Sequence, residues 1–315
     1  MRRLLWIIVA VAAFAACGQS TEERKRLSRA ERIRLQKEDS AAFKVAVMPT
    51  LDCLPLYVAR WHGLFDSLKV DVRLRRFTAQ MDCDTALAGG SVEAGVTDVV
   101  RAQRLVGQGV PLAYVSATDA YWLLIANRNS RIRELKQLYD KMLAMTRYSA
   151  TDLLADYAVD SAKVKEGRVF RVQINDVMVR LDMLRNNEMD ALFLAEPQAT
   201  AALLLKNNVI MDSRKLDFRP GAIVVRSDKQ GDKNRKKQLE AFKRAYDMAC
   251  DSINKYGVGH YRRLVGELCG VDAAVADSIG KKMKFTHIVS PRKADIERAD
   301  RWLETTKTQA YNGHQ

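Results

Sequence analysis

Polar side chains recur in this sequence where short apolar runs end and helical patterns begin. Hydroxyl, amide and carboxyl groups dominate the set, which holds a single arginine. Such groups can hold a small polar molecule by hydrogen bonds and charge, without any covalent step. The candidate binding residues are Thr50, Asp52, Thr78, Gln80, Thr97 and Asp98 in the first half of the chain, followed by Arg147, Tyr148, Ser149, Asn175, Asp176 and Glu196.

Several of these side chains also have a purely structural explanation. Asp52, Asp98 and Asn175 stand where a helix N-cap is expected. Glu196 precedes a helical pattern, where a carboxylate is favourable because of the helix dipole. Both explanations stay open, as they do for the loop residues Thr50, Tyr148 and Ser149.

No arrangement typical of catalysis is evident. His62 and His260 lie in or near helical segments, His287 stands alone, and His314 is close to the C-terminus. No nucleophile is grouped with a base and an orienting group. The cysteines lack the paired spacing of a zinc site. We therefore expect no enzyme activity, no cofactor and no metal.

The elements that position the candidate residues follow a repeated strand–loop–helix pattern. Residues 44–65 form the clearest unit, with an apolar strand, a polar loop and a helix in which Pro55 lies in the first turn and Gly63 follows the end. The pattern recurs up to residue 115 and again over residues 141–211. It indicates parallel sheets, in which ligands lie outside the carboxyl ends of the strands.

The N-terminus carries a targeting signal. Arg2 and Arg3 precede an apolar run at 4–14, and small residues then lead to Cys17. This arrangement resembles a bacterial lipobox, so we expect residues 1–17 to be a lipoprotein signal peptide with Cys17 as the lipidation site. Ordinary secretory cleavage is the alternative. Residues 18–42 are dense in both charge signs and predict a charged tether.

Charge and cysteine content bear on partners and compartment. The formal net charge is +14, but the basic residues are scattered among 38 acidic ones, and no nucleic-acid-binding signature is present. Beyond Cys17 four cysteines remain, which in an oxidising compartment permits two disulfides in three connectivities. Cys53 and Cys83 both follow strands, and Cys250 and Cys269 flank a turn between helices. We expect the pairs 53–83 and 250–269.

Four stretches resemble a known family, the extracytoplasmic solute-binding proteins of ABC importers, in the branch that includes nitrate, sulfonate, taurine and thiamine-precursor binders. In the last stretch a helix ends in a short loop before a strand, and an acidic residue and a proline then begin the next helix. The stretches are LPLYVARWHGLFDSLKVDVRL at 54–74, TALAGGSVEAGVTD at 85–98, LVGQGVPLAYVSA at 105–117 and LRNNEMDALFLAEPQATAAL at 184–203.

The resemblance implies an α/β, two-lobed periplasmic-binding-protein fold of type II, each lobe a mostly parallel sheet flanked by helices, with crossover strands at 122–127 and 221–226. Lobe 1 would comprise 43–124 plus 224–315, and lobe 2 would comprise 125–223. This chain departs from the family in one respect. It has Met48-Pro49-Thr50-Leu51 where thiamine-precursor binders have a tryptophan-threonine-proline-asparagine signature. A pyrimidine ligand is therefore not expected.

The same resemblance implies how the protein would work. A small-molecule ligand would be captured by hinge closure, with an ABC permease in the membrane as the partner and no nucleic acid involved. We expect a monomer outside the cytoplasm, held on the periplasmic side of a bacterial membrane by a lipid anchor through Cys17. A ligand-binding sensor or surface lipoprotein without a permease is the alternative, and an enzyme of the same fold is a weaker one.

Overall fold

A computed structural model describes residues 29–164, 167–280 and 282–312, with side chains from residue 31 to 306 outside these gaps. The chain divides into two units, Met1–Ala42 and Phe43–Gln315. In the first unit the charged segment is helical over Arg29–Ala41 (α1), whereas the predicted signal peptide and Cys17 lie outside the described residues. Among the helices that are described, none combines the length and apolar character needed to cross a membrane.

The second unit contains two five-stranded sheets. The first consists of β1 (Phe43–Val47), β2 (Val72–Arg76), β3 (Ala94–Asp98), β4 (Leu112–Ala117) and β10 (Gly221–Arg226). The second consists of β5 (Leu123–Ala126), β6 (Lys141–Met145), β7 (Val169–Gln173), β8 (Ala191–Leu194) and β9 (Asn208–Asp212). Each sheet with its flanking helices is called a lobe below, lobe 1 for the first sheet and lobe 2 for the second.

Helices cover the sheets and complete the lobes. They are α2 (Leu54–Trp61), α3 (Leu64–Ser67), α4 (Gln80–Ala88), α5 (Val99–Gly107), α6 (Ala150–Ser161), α7 (Val177–Arg185), α8 (Gln198–Leu204), α9 (Lys233–Tyr256), α10 (Arg262–Cys269), α11 (Ala273–Ile279) and α12 (Lys293–Asn312).

The two sheets have the same plan. Their strand orders are β2-β1-β3-β10-β4 and β7-β6-β8-β5-β9. In the first sheet β10 is antiparallel to both neighbours, and in the second β5 is antiparallel to both of its neighbours. Each antiparallel strand follows a crossing of the chain from the other sheet. The predicted α/β architecture with two crossover strands is therefore confirmed.

The crossings pack tightly against each other. Gly221, at the start of β10, lies so close to the outgoing segment that an added Cβ would be 2.7 Å from Ala120 Cβ. The backbone of Thr118 donates to the Gly221 carbonyl at 2.9 Å. Glycine is required here because no side chain fits between the two segments.

The C-terminal helices pack mainly on lobe 1. In α9 the ring of Phe242 lies 5.5 Å from Phe43 in β1 and 6.5 Å from Phe65 in α3, measured between centroids. The last helix, α12, packs on α5 and also reaches lobe 2, where Trp302 Nε1 donates to Asp156 Oδ2 at 2.6 Å. A single helix thus contacts both lobes.

The predicted disulfides 53–83 and 250–269 are wrong, because all four cysteines are free and buried. Each thiol packs within the apolar core of lobe 1. The Sγ atom of Cys53 accepts a hydrogen bond from Met48 N at 3.3 Å, and Cys250 Sγ donates to the Thr286 carbonyl at 3.6 Å. Burial raises the pKa of the Cys83 and Cys269 thiols to about 12, so the thiolates that would form a disulfide are disfavoured.

Candidate functional site

The carboxyl ends of the parallel strands in the two sheets face each other, and the loops that follow them are in contact. Leu51 N in lobe 1 donates to the Glu196 carbonyl in lobe 2 at 2.8 Å, and Val177 N donates to the Thr78 carbonyl at 3.3 Å. Ala79 pairs with Asp176 as an isolated antiparallel bridge. Backbone hydrogen bonds thus hold the lobes closed over the space between them.

A cavity of about 30 Å³ remains between the closed lobes. A buried water molecule needs roughly 10–15 Å³, so a solute of several heavy atoms requires the lobes to stand further apart than they do here. Both lobes contribute to the wall of this cavity, called the central cavity below. Its lining residues are Met48, Thr50, Asp52, Gln80, Val96, Thr97, Trp122, Val177, Arg180, Phe193 and Ala195.

Four of the candidates from lobe 1 line the central cavity: Thr50, Asp52, Gln80 and Thr97. Thr97 is 6% exposed, and among the described residues its Oγ1 has no hydrogen-bond partner. A buried hydroxyl without a partner is costly unless a ligand or ordered water bonds it. Thr78, by contrast, is exposed and contributes its carbonyl to the contact between the lobes.

Asp52 does not cap the helix that follows it. A short 3₁₀ turn at Leu51–Cys53 intervenes, and Cys53, whose side chain makes no capping bond, precedes α2. The Asp52 carboxylate is instead held beside the cavity, and within the described part of the chain its buried Oδ1 has no partner. Burial raises the pKa of Asp52, and a hydrogen bond from Thr50 opposes that shift.

Asp98 is an N-cap shared between the two lobes. Its Oδ1 accepts from Arg101 N at 3.0 Å in its own helix α5 and from Ala150 N at 3.1 Å at the start of α6 in lobe 2. The side chain is 1% exposed. Burial raises the pKa of Asp98 to about 6, although Arg101 and the two backbone donors counteract this.

An ion pair lies beneath this cap. Arg101 is fully buried and forms a two-pronged bond with Asp84, in which Nε lies 3.1 Å from Oδ1 and Nη2 contacts Oδ2. Because both charges are matched within lobe 1, this pair holds the start of α5 in position rather than facing the cavity.

Three candidates from lobe 2 bond within their own loops. Ser149 is the N-cap of α6 and accepts from Thr151 N at 3.1 Å. Asp176 is the N-cap of α7, accepting from Met178 N at 2.8 Å. Asn175 accepts from Gln173 Nε2 at 3.2 Å. Helix capping therefore accounts for Ser149 and Asp176, whereas the N-cap position expected for Asn175 is occupied by Asp176.

Arg147 and Tyr148 lie away from the central cavity. Arg147 is exposed, and both residues line a separate cavity of about 280 Å³ together with Trp302 of α12. The guanidinium of Arg104 in lobe 1 lies 4.9 Å from the centroid of the Tyr148 ring. This cation–π contact joins the lobes at the side of the cleft.

Glu196 is buried between the cleft and the hinge. Its Oε1 accepts from Tyr121 OH at 2.7 Å, and its Oε2 accepts from Thr200 N at 3.0 Å in α8. Both carboxylate oxygens thus have partners from the protein. Beyond Glu196 and Tyr121 a groove of about 730 Å³ opens beside the hinge.

Arg180 lines the central cavity, although the sequence did not single it out. It is 3% exposed and donates from Nε to the Ile174 carbonyl at 2.7 Å, from Nη1 to the Phe193 carbonyl at 3.1 Å, and from Nη2 to Thr146 Oγ1. These acceptors belong to the ends of β6 and β8 and the loop after β7. Burial lowers the pKa of Arg180 to about 9.

A signal for Arg180 exists in the sequence. It occupies a position in the stripe formed by Val177, Leu181 and Leu184, which are three, one and four residues away from it. A charge on the apolar side of an amphipathic helix indicates a buried charge. Basic residues are common on the exposed faces of helices in this chain, so Arg180 was not distinguished from them in the sequence.

Solved structures identify the fold. The chain superposes on the periplasmic aliphatic sulphonate binding protein SsuA from Escherichia coli with a TM-score of 0.69, at 18% identity, over 84% of this chain and 88% of that one. The alkanesulfonate-binding protein SsuA from Xanthomonas axonopodis pv. citri superposes with a TM-score of 0.73, at 14% identity, over 86% of this chain and 93% of that one. At these identities the comparison establishes the fold of periplasmic binding proteins.

The nitrate-binding protein NrtA from Synechocystis PCC 6803 has the same fold, with a TM-score of 0.64 at 13% identity over 79% of this chain and 74% of that one. At the level of sequence, the model of the family described as NMT1/THI5 like matches residues 50–255. The chain therefore belongs to the NMT1/THI5-like family, and the resemblance seen in the sequence is confirmed. Among curated proteins, none matches the chain.

Proposed function

We propose that this protein is the substrate-binding component of an ABC importer, which captures a small polar solute between its lobes by hinge closure. The observation that carries the proposal is the central cavity, enclosed by residues of both lobes and lined by polar groups at the ends of strands. Proteins of the same fold bind sulfonates and nitrate.

Hinge closure would couple the solute to the arrangement of the lobes. The loops of lobe 1 and lobe 2 bond to each other directly at Leu51–Glu196 and Thr78–Val177. A solute that contacts both lobes lowers the free energy of the state in which they close around it, and so shifts the population of molecules towards that state. A permease in the membrane would recognise that closed arrangement.

The N-terminal sequence supports a location for the protein outside the cytoplasm. The basic and apolar segments that end at Cys17 fit a lipoprotein signal, so the binding domain would work outside the cytoplasm on a lipid anchor. A Cys17→Ser precursor is expected to lose membrane attachment, measured as the fraction that sediments with membranes. Unchanged sedimentation would contradict lipidation.

A thermal-shift screen against a library of small polar solutes tests the binding function. A solute that binds only the folded protein adds about 2.7 kcal/mol of stability at a concentration one hundred times its Kd. At least one compound is expected to raise the melting temperature. In the Thr97→Val variant, which removes the unpartnered hydroxyl, this shift should shrink.

The matched control is Thr85→Val, because Thr85 is exposed on α4 and bonds only to its own helix at the Met81 carbonyl. It should keep the full shift. A library without any stabilising compound, or turnover of a solute by the purified protein, would contradict the proposed function.

A further inference from the structure

Two charged side chains of opposite sign line the central cavity, one from each lobe. Asp52 comes from the loop after β1 in lobe 1, and Arg180 comes from α7 in lobe 2. The other residues of the wall are uncharged. Asp52 and Arg180 therefore determine which charged groups a bound solute would meet at this cavity.

Neither side chain forms a salt bridge within the described residues, although Asp176 acts on Arg180 from a longer distance. Among the described residues, Arg180 bonds only to two carbonyls and one hydroxyl, all uncharged, and forms no salt bridge. These bonds use three of its five N–H groups. A buried cation without a counter-charge costs several kcal/mol, and an anionic group bound at the two remaining N–H groups would offset this cost.

Asp52 is an acidic side chain without a basic partner among the described residues. In the described part of the chain Asp52 forms no salt bridge and its Oδ1 is buried without a hydrogen-bond donor, although Thr50 donates to the carboxylate. Asp98 also has a buried oxygen without a partner, but neither it nor Asp176 nor Glu196 belongs to the wall of the central cavity. Asp52 is therefore the carboxylate in this set that is available to a bound ammonium group.

From this pattern we infer that the solute is a small zwitterion, with an ammonium group directed to Asp52 and a carboxylate or similar oxyanion directed to Arg180. The inference rests on the proposed function, because it requires a solute between the lobes. Such a molecule neutralises one buried charge in each lobe, so both ends of it favour closure. The apolar wall at Met48, Val96 and Phe193 would contact the carbon chain between its charges.

Calorimetry with matched probes tests the assignment. For chains of three to six carbons, the ω-amino carboxylate is compared with the amine and the carboxylate of the same length. At least one zwitterion is expected to bind ten or more times more tightly than both singly charged analogues. If a singly charged analogue binds equally well, the assignment is wrong while the proposed function stands.

The variant Asp52→Asn provides a second readout. It preserves the shape of the side chain, so the affinity for the zwitterion should fall at least tenfold while that for the matched carboxylate is kept. The melting temperature of the ligand-free variant should rise, because an unmatched buried charge is removed. The control is Asp66→Asn, an exposed acid of lobe 1, which should alter neither quantity.

The remaining outcomes separate the two hypotheses. If Asp52→Asn lowers the ligand-free melting temperature and leaves the zwitterion affinity unchanged, Asp52 has a structural role and the assignment is overturned. Binding of an uncharged solute by a protein that ignores every zwitterion overturns the assignment alone. A protein that binds no solute of any kind overturns the proposed function as well.

Discussion

At the scale of single residues, the polar groups of the cleft divide into those satisfied by the protein and those that are not. Asp176 bonds to backbone N–H groups at the start of α7, whereas Asp52, Thr97 and also Asp98 keep a buried oxygen without a partner among the described residues. Residue type does not separate the two sets, since both contain aspartate. The partners, which the fold supplies, separate them.

Asp98 leads to a prediction about pH. Its pKa in the folded protein is about 6, above its ordinary value, so the folded state binds the proton more tightly than the unfolded state. Protonation therefore favours folding, and the stability that it adds is lost as pH rises through 6. Between pH 7 and pH 5 the free energy of unfolding should rise by about 1 kcal/mol through this group.

The measurement is denaturant unfolding of the wild type and of Asp98→Asn at both pH values. Asparagine keeps an oxygen for the two backbone donors but does not titrate. The stability of the wild type relative to the variant should therefore increase on acidification. A constant or opposite difference would contradict the elevated pKa.

At the scale of elements, the hinge depends on how closely its two segments pass. An added Cβ at Gly221 would lie 2.2 Å from Thr118 Oγ1 and 2.7 Å from Ala120 Cβ. Because these atoms belong to the outgoing crossing, extra volume at Gly221 would push the two crossings apart. The relation between the lobes is thus sensitive to one methyl group.

Gly221→Ala is expected to lower the free energy of unfolding by about 1–3 kcal/mol, the usual cost of overpacking. Thermal or urea unfolding measures it. Gly231→Ala is the matched control, because Gly231 is exposed and an added Cβ there meets nothing within 4 Å. Equal stability of the two variants would show that the crossings can separate at no cost.

At the scale of the whole molecule, closure rests on contacts spread along the cleft. Ala79 and Asp176 pair between the lobes, Gln198 Nε2 donates to the Pro49 carbonyl at 2.7 Å, and Asp98 bonds to the start of α6. Trp302 adds a bond from the last helix to Asp156. The closed arrangement thus has its own set of interactions between the lobes.

A cross-link tests that arrangement in solution. Residues directly opposite each other in an antiparallel bridge have Cα atoms about 4.5–5.5 Å apart, which suits a disulfide. The double variant Ala79→Cys/Asp176→Cys should therefore form an intramolecular bond under mild oxidation, visible as faster migration on a non-reducing gel. It should then bind no solute until reduced.

The two single variants are the controls, and Asp176→Cys alone also carries the loss of the α7 cap. Neither should change its migration, since the four thiols of the described residues are buried. If the double variant fails to cross-link, the lobes do not reach this closed arrangement in solution.

The order of strands and helices could be predicted from the sequence because it depends on local periodicity. Strand β1 is buried along its whole length and reads as an apolar run interrupted only by Lys44, and the polar residues after each strand mark the edge where the cleft forms. The apolar runs at 122–127 and 221–226 likewise indicated the two crossings. All these patterns span only a few neighbouring residues.

The state of the side chains was decided by tertiary structure. The even number of cysteines beyond Cys17, and their positions, suggested two disulfides. In the structure the four thiols pack separately in the core. Arg180 looks like an ordinary basic residue in the sequence, but the packing of α7 buries it. Arg147 was expected to contact the ligand, but it is exposed. Burial and bonding partners come from residues far apart in the chain, so local sequence patterns do not encode them.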